Sequence, residues 1–328
     1  MSQPRIVSIG PLPESVIQTL SPHGRIVCID DNGSREEVLA AIDEEVILIV
    51  ARGSVIVDAE VLDRAPRIKA ISRTGVGYDS VSIPDATERR IPVLYTPGAM
   101  TRAVAEQTMA FILGAAKKFE FWRRALTEGN WNARYTTRSL DLEGSVLGIV
   151  GYGRIGRQVR RLARPFGMSV LADDPYIDHA QFRDDELEFM GLEELLSRAR
   201  IITLHVPLNE ETTALIHRGN VTCIQPGSIL INTARGPVVE SLDLLVDELD
   251  SGRLAAVGVD VFPEEPPPPD HPIFRHPRAL VTGHVSARTP RAQKQILDTM
   301  LEDTLAVLEG RTPRRQNVVN PEVLDPPA

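Results

Sequence analysis

Val146-Leu147-Gly148-Ile149-Val150 runs directly into Gly151-Tyr152-Gly153-Arg154-Ile155-Gly156. The first five residues read as a buried strand. A helical pattern follows through Phe166, and a second strand is expected over 169–172. Three glycines at this spacing occur in ordinary turns. The strand before them and the helix and strand after them make this a dinucleotide-binding turn. Gly151 permits the tight turn, Gly153 lets a pyrophosphate approach the backbone, and Gly156 lets helix and strand pack closely. Free N–H groups and the positive helix end attract phosphate there, with Arg154 and Ile155 in the same turn. Asp174 stands eighteen positions after Gly156, at the end of the second strand. A carboxylate at that place accepts hydrogen bonds from ribose hydroxyls and repels a 2′-phosphate. No Arg or Lys follows in Pro175-Tyr176-Ile177-Asp178, so the segment reads as an NAD site rather than an NADP site. The neighbouring Asp173 is placed to share that role. Taken alone, the stretch also suits a fold that binds FAD or S-adenosylmethionine.

Working outward, strand-like runs over 201–204, 228–232, 256–261 and 279–282 complete a set of six with 146–150 and 169–172. Six strands with intervening helices are the count of a full dinucleotide-binding fold. Upstream, strands over 5–9, 25–29, 46–50, 68–72 and 92–95 alternate with helical patterns over 14–20, 35–42 and 58–65. Such alternation predicts a second parallel sheet covered by helices, hence an α/β protein of two Rossmann-like domains. A long apolar helix is expected from Thr101 to about Phe121 as the connector. Thr289 suits the cap of a last long helix, Pro290 its first turn and Gly310 its end. The tail after it is too short for a domain and is expected to pack on the first one. The expected domains are therefore a discontinuous substrate domain, 1–100 plus 289–328, and an NAD-binding domain, 101–288.

The bulk numbers agree with this. At 328 residues the chain exceeds the size at which one core usually stops growing. The net charge of −9 argues against a nucleic-acid partner or an anionic membrane. No apolar run approaches the roughly 20 residues of a spanning helix. The start of the chain lacks the charged residues and long apolar stretch of a signal peptide. Two cysteines, Cys28 and Cys223, exclude a disulfide scaffold or a cysteine-rich zinc site, and a cytoplasmic setting is expected.

Three polar residues follow three successive strands of the second domain. They are Arg235 after Ile231-Asn232-Thr233-Ala234, Glu265 in Asp260-Val261-Phe262-Pro263-Glu264-Glu265, and His284 in Val281-Thr282-Gly283-His284. Ligands of open parallel sheets bind outside the carboxyl ends of the strands. Singly, such residues are most often loop charges or structural histidines, and their conjunction carries the weight.

These segments resemble the D-isomer-specific 2-hydroxyacid dehydrogenase family, and in particular its phosphoglycerate dehydrogenase-like members. The resemblance extends to Thr74-Gly75-Val76-Gly77-Tyr78-Asp79, Ala103-Val104-Ala105-Glu106 and Leu204-His205-Val206-Pro207-Leu208, and so covers nearly the whole chain. It implies an NAD-dependent oxidoreductase that moves a hydride between a D-2-hydroxy acid and its 2-keto acid. His284 is then the acid–base, suited by an unperturbed pKa near 6.5. Glu265 orients its ring and favours the protonated form, and Arg235 binds the substrate carboxylate as a planar fork. The N–H groups of Val76 and Gly77 hold the other carboxylate oxygen. Asp260 binds the nicotinamide carboxamide, and His205, Val206, Pro207, Thr212, Thr233 and Ala234 line the cofactor. No metal is required, because Arg and His supply the charge.

The chain departs from many relatives at Gly283, where they have Pro, and at Tyr95, where they have Asn. Glycerate, hydroxypyruvate, glyoxylate, lactate and 3-phosphoglycerate share the chemistry. Arg52 and Arg73, each at the end of a strand of the first domain, match arginines that meet phosphate in phosphoglycerate dehydrogenases, and Arg134 is a weaker candidate. Hydroxypyruvate or glyoxylate reduction is the alternative, and an NAD(H)-responsive corepressor-like protein is the alternative of another class. A homodimer is expected through the connector, whose Met109, Phe111, Ile112, Leu113, Phe119, Phe121 and Trp122 give an excess of apolar surface.

Overall fold

The computed structural model describes residues 3–30, 33–52, 55–182 and 186–326. They form two compact units, 1–100 with 289–328, and 101–288.

In the first unit, β1 (Arg5–Ile9), β2 (Arg25–Ile29), β3 (Val46–Ala51), β4 (Ala70–Arg73) and β5 (Val93–Leu94) make a parallel sheet in the order β2-β1-β3-β4-β5. All six residues of β3 are buried, as expected for a central strand covered on both faces. The two faces separate with period two. Val7, Ile9, Ile49 and Ile71 enter one core, and Ile6, Leu48, Val50 and Ala70 the other. Met300 and Leu308 of the helix Pro290–Leu308 complete the second core. That helix starts as expected, with the Thr289 hydroxyl accepting from the Ala292 N–H at 3.2 Å. Gly310 follows its end with φ of 75°.

The tail then returns to β5. Val318 bridges Leu94, and the Val319 N–H donates to the Val93 carbonyl at 2.8 Å. Asp303, buried on the long helix, gathers the Arg314 N–H and guanidinium and the Asn317 amide.

In the second unit, β6 (Val146–Val150), β7 (Ser169–Asp173), β8 (Leu187–Phe189), β9 (Ile201–Leu204), β10 (Ser228–Asn232), β11 (Leu254–Val259) and β12 (Ala279–Val281) form one parallel sheet. Its order is β12-β11-β10-β9-β6-β7-β8. The strand order reverses at β6, which places the topological switch point between β6 and β9. The sheet has one strand more than the six read from the sequence. β8 is three residues long, Leu-Glu-Phe, and lies at an edge, so it has no apolar run to reveal it.

The expected connector from Thr101 to Phe121 is two helices, Thr101–Ala116 and Phe119–Thr127. They part at Lys118, which adopts φ 56° and ψ 43°. A non-glycine residue there costs about 1–2 kcal/mol and leaves no Gly or Pro as a sequence signal. The break also redistributes the apolar surface. Met109, Phe111 and Ile112 are buried in the unit's own core, whereas Phe119, Leu126, Trp131 and Tyr135 are exposed. The excess therefore lies beyond residue 118 rather than along the first helix. No helix among the described residues is long and apolar enough to cross a membrane.

Candidate active site

The turn after β6 is built around glycine. Gly151 has φ of 89°, and a Cβ there would meet the His205 carbonyl carbon at 2.7 Å, so only glycine lets the backbone after β9 lie this close. Its N–H donates to the Asp173 carbonyl at 2.8 Å. A Cβ on Gly156 would collide with the Gly151 carbonyl, whereas nothing lies within 4 Å of one built on Gly153. The backbone at Gly153 is therefore open on its Cβ side, as a close approach of a phosphate group requires. Gly153 is also the N-cap of the helix Arg154–Ala163 and is free of any side-chain cap, so the helix start is available to an anion.

Asp174 follows β7 directly. Its carboxylate accepts from the Tyr152 N–H at 2.9 Å and the Tyr176 N–H at 3.1 Å, which fastens it to the glycine turn. Arg154 is exposed and Ile155 half-buried against the core.

After β9, both ring nitrogens of His205 are buried without a hydrogen-bond partner. Burial brings this imidazole down to about 3, so the ring is neutral. Val206 is half-buried and Pro207 exposed. The Thr212 hydroxyl donates to the Pro207 carbonyl at 2.6 Å and accepts from the Asn209 N–H at 2.9 Å, so it shapes this loop.

The turn after β10 is held by Asn232. Its side-chain oxygen accepts from the Ala234 N–H at 3.0 Å, and its amide donates to the Arg235 carbonyl at 2.9 Å. The Thr233 hydroxyl pairs with Thr108 at 3.1 Å. Asn232 was not singled out from the sequence. A polar residue ending an otherwise apolar strand was its signal.

Arg235 donates from Nη1 to the Ala234 carbonyl at 2.8 Å, and Gly236 follows it. A Cβ on Gly236 would overlap the Phe262 backbone, so glycine brings the Arg235 turn against the segment that carries Glu265. Glu265 Oε1 accepts from the Phe262 N–H at 3.0 Å, and Oε2 meets His284 Nδ1 at 2.7 Å. Burial pushes the Glu265 carboxyl up. The His284 hydrogen bond and charge, the Phe262 N–H and the Arg235 charge outweigh it, and the group ends below the ordinary carboxylate range. An ionised Glu265 is an acceptor only, so Nδ1 carries the proton that it meets.

His284 has φ of 53°, a strained conformation for this residue. Asp260 holds it there. Asp260 is 1% exposed, and its carbonyl accepts from the His284 N–H at 2.6 Å. Its carboxylate accepts from Thr282 Oγ1, the Val285 and Ser286 N–H groups and Ser286 Oγ. Those four donors fill the carboxylate's acceptor sites. Asp260, expected at the nicotinamide carboxamide, is thus engaged in fixing the histidine loop. Thr282 and Ser286, its partners, were not anticipated.

In the first unit, the Thr96 N–H donates to the Gly75 carbonyl at 2.9 Å, while the Val76 and Gly77 N–H groups make no hydrogen bond among the described residues. Such paired backbone donors suit a carboxylate. Tyr78 and Tyr95 flank this loop, edge to face at 6.2 Å. Arg73 donates to the Gly77 carbonyl at 2.9 Å, the Ala51 carbonyl at 2.9 Å and Ser80 Oγ at 2.8 Å. Arg52 donates to the Pro11 carbonyl. Both arginines stand at the carboxyl edge of the sheet, as expected, yet both are engaged with backbone carbonyls. Arg134 lies between the Trp131 and Tyr135 rings, 4.8 and 4.6 Å from their centroids. No group of acidic, His and Cys side chains among the described residues is arranged to hold a metal ion.

A glycine turn at the switch point of a doubly wound parallel sheet, followed by an acidic residue at the end of the next strand, defines a dinucleotide-binding protein. Residues 109–286 match the family described as "D-isomer specific 2-hydroxyacid dehydrogenase, NAD binding domain". A glyoxylate reductase of Thermofilum pendens is 34% identical over 99% of this chain and 96% of its own length. A D-3-phosphoglycerate dehydrogenase of Archaeoglobus fulgidus is 32% identical over 98% of this chain, which spans only 60% of that relative. The crystal structure of a glyoxylate reductase from Paecilomyes thermophila superposes with a TM-score of 0.85 at 27% identity, covering 98% of this chain and all of that one. The chain belongs to the D-isomer specific 2-hydroxyacid dehydrogenase family, and its cofactor is NAD. The residues present fit that cofactor: the cradle at Gly151, the open side at Gly153 and the orphaned His205 ring all lie at the switch point.

Proposed function

We propose that the protein is an NAD-dependent oxidoreductase that interconverts a D-2-hydroxy acid and its 2-keto acid. The observation that carries this reading is the His284–Glu265 pair at 2.7 Å, with Arg235 close enough to lower the Glu265 carboxyl. Bound NAD supplies the hydride acceptor, or the donor in the reduced form. Asp174 and the Gly151–Gly156 turn would hold its adenosine and pyrophosphate, and the loops at His205–Pro207 and Thr233–Ala234 the remainder. In reduction His284 Nε2 donates the proton that the keto oxygen takes up; in oxidation it removes the hydroxyl proton. Glu265 keeps the Nδ1 proton in place and stabilises the cationic ring. Arg235 grips the carboxylate and polarises the keto oxygen.

For the substrate we favour a small unphosphorylated 2-keto acid such as glyoxylate or hydroxypyruvate. Arg73 and Arg52 serve their own backbone, and the glyoxylate reductase relative matches this chain over nearly its full length. Reduction of 3-phosphohydroxypyruvate is the second reading, favoured by the placement of the same arginines at the sheet edge. Two free cysteines suit a reducing cytoplasm.

Steady-state assays with NADH test both levels. His284→Ala is expected to lower kcat by roughly 10²–10⁴-fold while NADH affinity is retained. Near-normal turnover in that variant removes His284 from the mechanism. Arg73→Ala is expected to raise KM for hydroxypyruvate and 3-phosphohydroxypyruvate alike, because the residue shapes the loop. A loss confined to the phosphorylated substrate establishes the second reading.

A further inference from the structure

Glu265 and His284 are the two ends of one stretch of chain, 19 positions apart. Its middle is fastened twice to the helix Leu242–Asp250. His271 Nε2 meets Asp243 Oδ1 at 3.2 Å, and His276 Nε2 meets Asp250 Oδ1 at 3.3 Å. The two aspartates are two helical turns apart and share one face of that helix. The other nitrogen of each ring is used as well. His271 Nδ1 accepts from the Ile273 N–H and His276 Nδ1 from the Arg278 N–H, both at 3.2 Å. Nδ1 is thus the acceptor in both rings, and Nε2 carries the proton that faces the carboxylate. From this double clasp two short paths lead to the site. Upstream, the Phe274 ring packs on Phe262 with centroids 5.6 Å apart, and the Phe262 N–H is the donor to Glu265 Oε1. Pro266–Pro269 lie between Glu265 and the clasp; they fix φ at four successive residues and have no N–H to give. The His271 N–H reaches back to the Pro268 carbonyl at 3.2 Å. Downstream, Arg278 leads directly into β12, and His284 follows shortly after that strand.

We infer that Asp243 and Asp250, through His271 and His276, are positioning residues for the Glu265–His284 pair. They set the segment that joins the two, and so hold the carboxylate against the ring. None of the four hydrogen-bonds to Glu265 or His284 among the described residues; their partners lie on the helix and in the segment's own backbone. Ile273 is fully buried and keeps the segment in the core when a clasp is lost. Losing the clasps therefore changes where the segment is set and leaves the fold intact. Placement matters at this distance from the chemistry, since a displacement of about 1 Å at a reacting group can cost roughly 100-fold in rate. The inference rests on the proton-transfer roles proposed above, which His284→Ala tests by itself.

The experiment compares the unaltered protein with two double variants. The first combines Asp243→Ala with Asp250→Ala; the second combines Asp243→Asn with Asp250→Asn, which keeps an acceptor oxygen for each Nε2–H. Turnover is measured with glyoxylate and NADH. The His284 ring is titrated by NMR, its signal assigned by its loss in His284→Ala. The first variant is expected to lower kcat about tenfold, short of the loss that a full displacement would bring. Its NADH affinity should stay within about twofold, and its circular dichroism should be unchanged, which shows that it is folded. Its His284 titration should move to lower pH, because a carboxylate held less closely favours the protonated ring less. The second variant should restore both kcat and the titration. Added to Glu265→Ala, the first pair of substitutions should cost nothing further, since it acts through Glu265. The titration needs no turnover, so it reads the clasps even where glyoxylate fails as a substrate. An unmoved titration in the first variant overturns the inference, and so does an equal loss of kcat with and without Glu265.

Discussion

Single residues here act mostly by holding backbone. Asp260, Asn232, Arg73 and Thr212 all direct their polar atoms at loops that follow strands, and they thereby aim His284, Arg235, the Gly75–Gly77 turn and the loop after β9. His205 differs, because its ring nitrogens are buried with nothing to bond. Its effect on stability has a definite sign. In the folded protein the ring takes a proton only near pH 3, whereas an unfolded histidine does so near 6.5. Between those values the unfolded chain binds the extra proton, so stability falls as pH drops from about 6.5. The cofactor-free protein should lose resistance to urea between pH 7.5 and pH 5, and His205→Asn should lose less over the same interval. Equal losses in the two proteins would show that the ring is hydrated in solution. The backbone of His205 passes so near Gly151 that Gly151→Ala should disturb the same place, which is why the glycine and the histidine belong to one device.

Among the elements, the tail after the long helix shows how a short segment without a core of its own is secured. Asp303 is 2% exposed and receives the Arg314 backbone, its guanidinium and the Asn317 side chain. Removing one partner of such a buried pair costs about 3 kcal/mol, somewhat less where the remaining partner reaches water as Arg314 does. Asp303→Ala should therefore lower the urea midpoint of the first unit and speed hydrogen exchange at Val319, whose N–H closes the tail onto β5. Unchanged exchange at Val319 would mean that the apolar contacts of Val318 suffice. The connector teaches the converse lesson. Its amphipathic pattern continues past residue 116, but Lys118 turns left-handed and the second helix sets off in a new direction.

At the scale of the whole molecule, we propose a homodimer. The surface that motivates it is not the first connector helix, whose apolar residues serve their own unit. It is the exposed set Phe119, Leu126, Trp131 and Tyr135, between 58% and 70% accessible. Large apolar side chains left this exposed within one segment of the chain are the kind of surface that association covers. Light scattering at micromolar concentration should report twice the chain mass, and Phe119→Asp combined with Trp131→Ala should shift the protein toward the monomer. A monomeric unaltered protein would end this proposal.

Local chemistry was enough to read much of this chain. The Gly151–Gly156 turn with Asp174, the strand runs as apolar as 46–50, and the Thr289–Pro290 cap depend on neighbours in sequence, and so they are written there. The three residues Arg235, Glu265 and His284 were visible for the same reason: each follows a strand, and parallel strands deliver their ends to one edge. What the sequence could not show depends on partners far along the chain. The 2.7 Å contact joining Glu265 to His284 and the four donors around Asp260 each need two separate segments brought together, and so does the use of Arg73 on Ala51 and Ser80. An arginine at a strand end looks the same in sequence whether its fork meets a phosphate or a backbone carbonyl. Only the fold decides which acceptor stands within 3 Å of it.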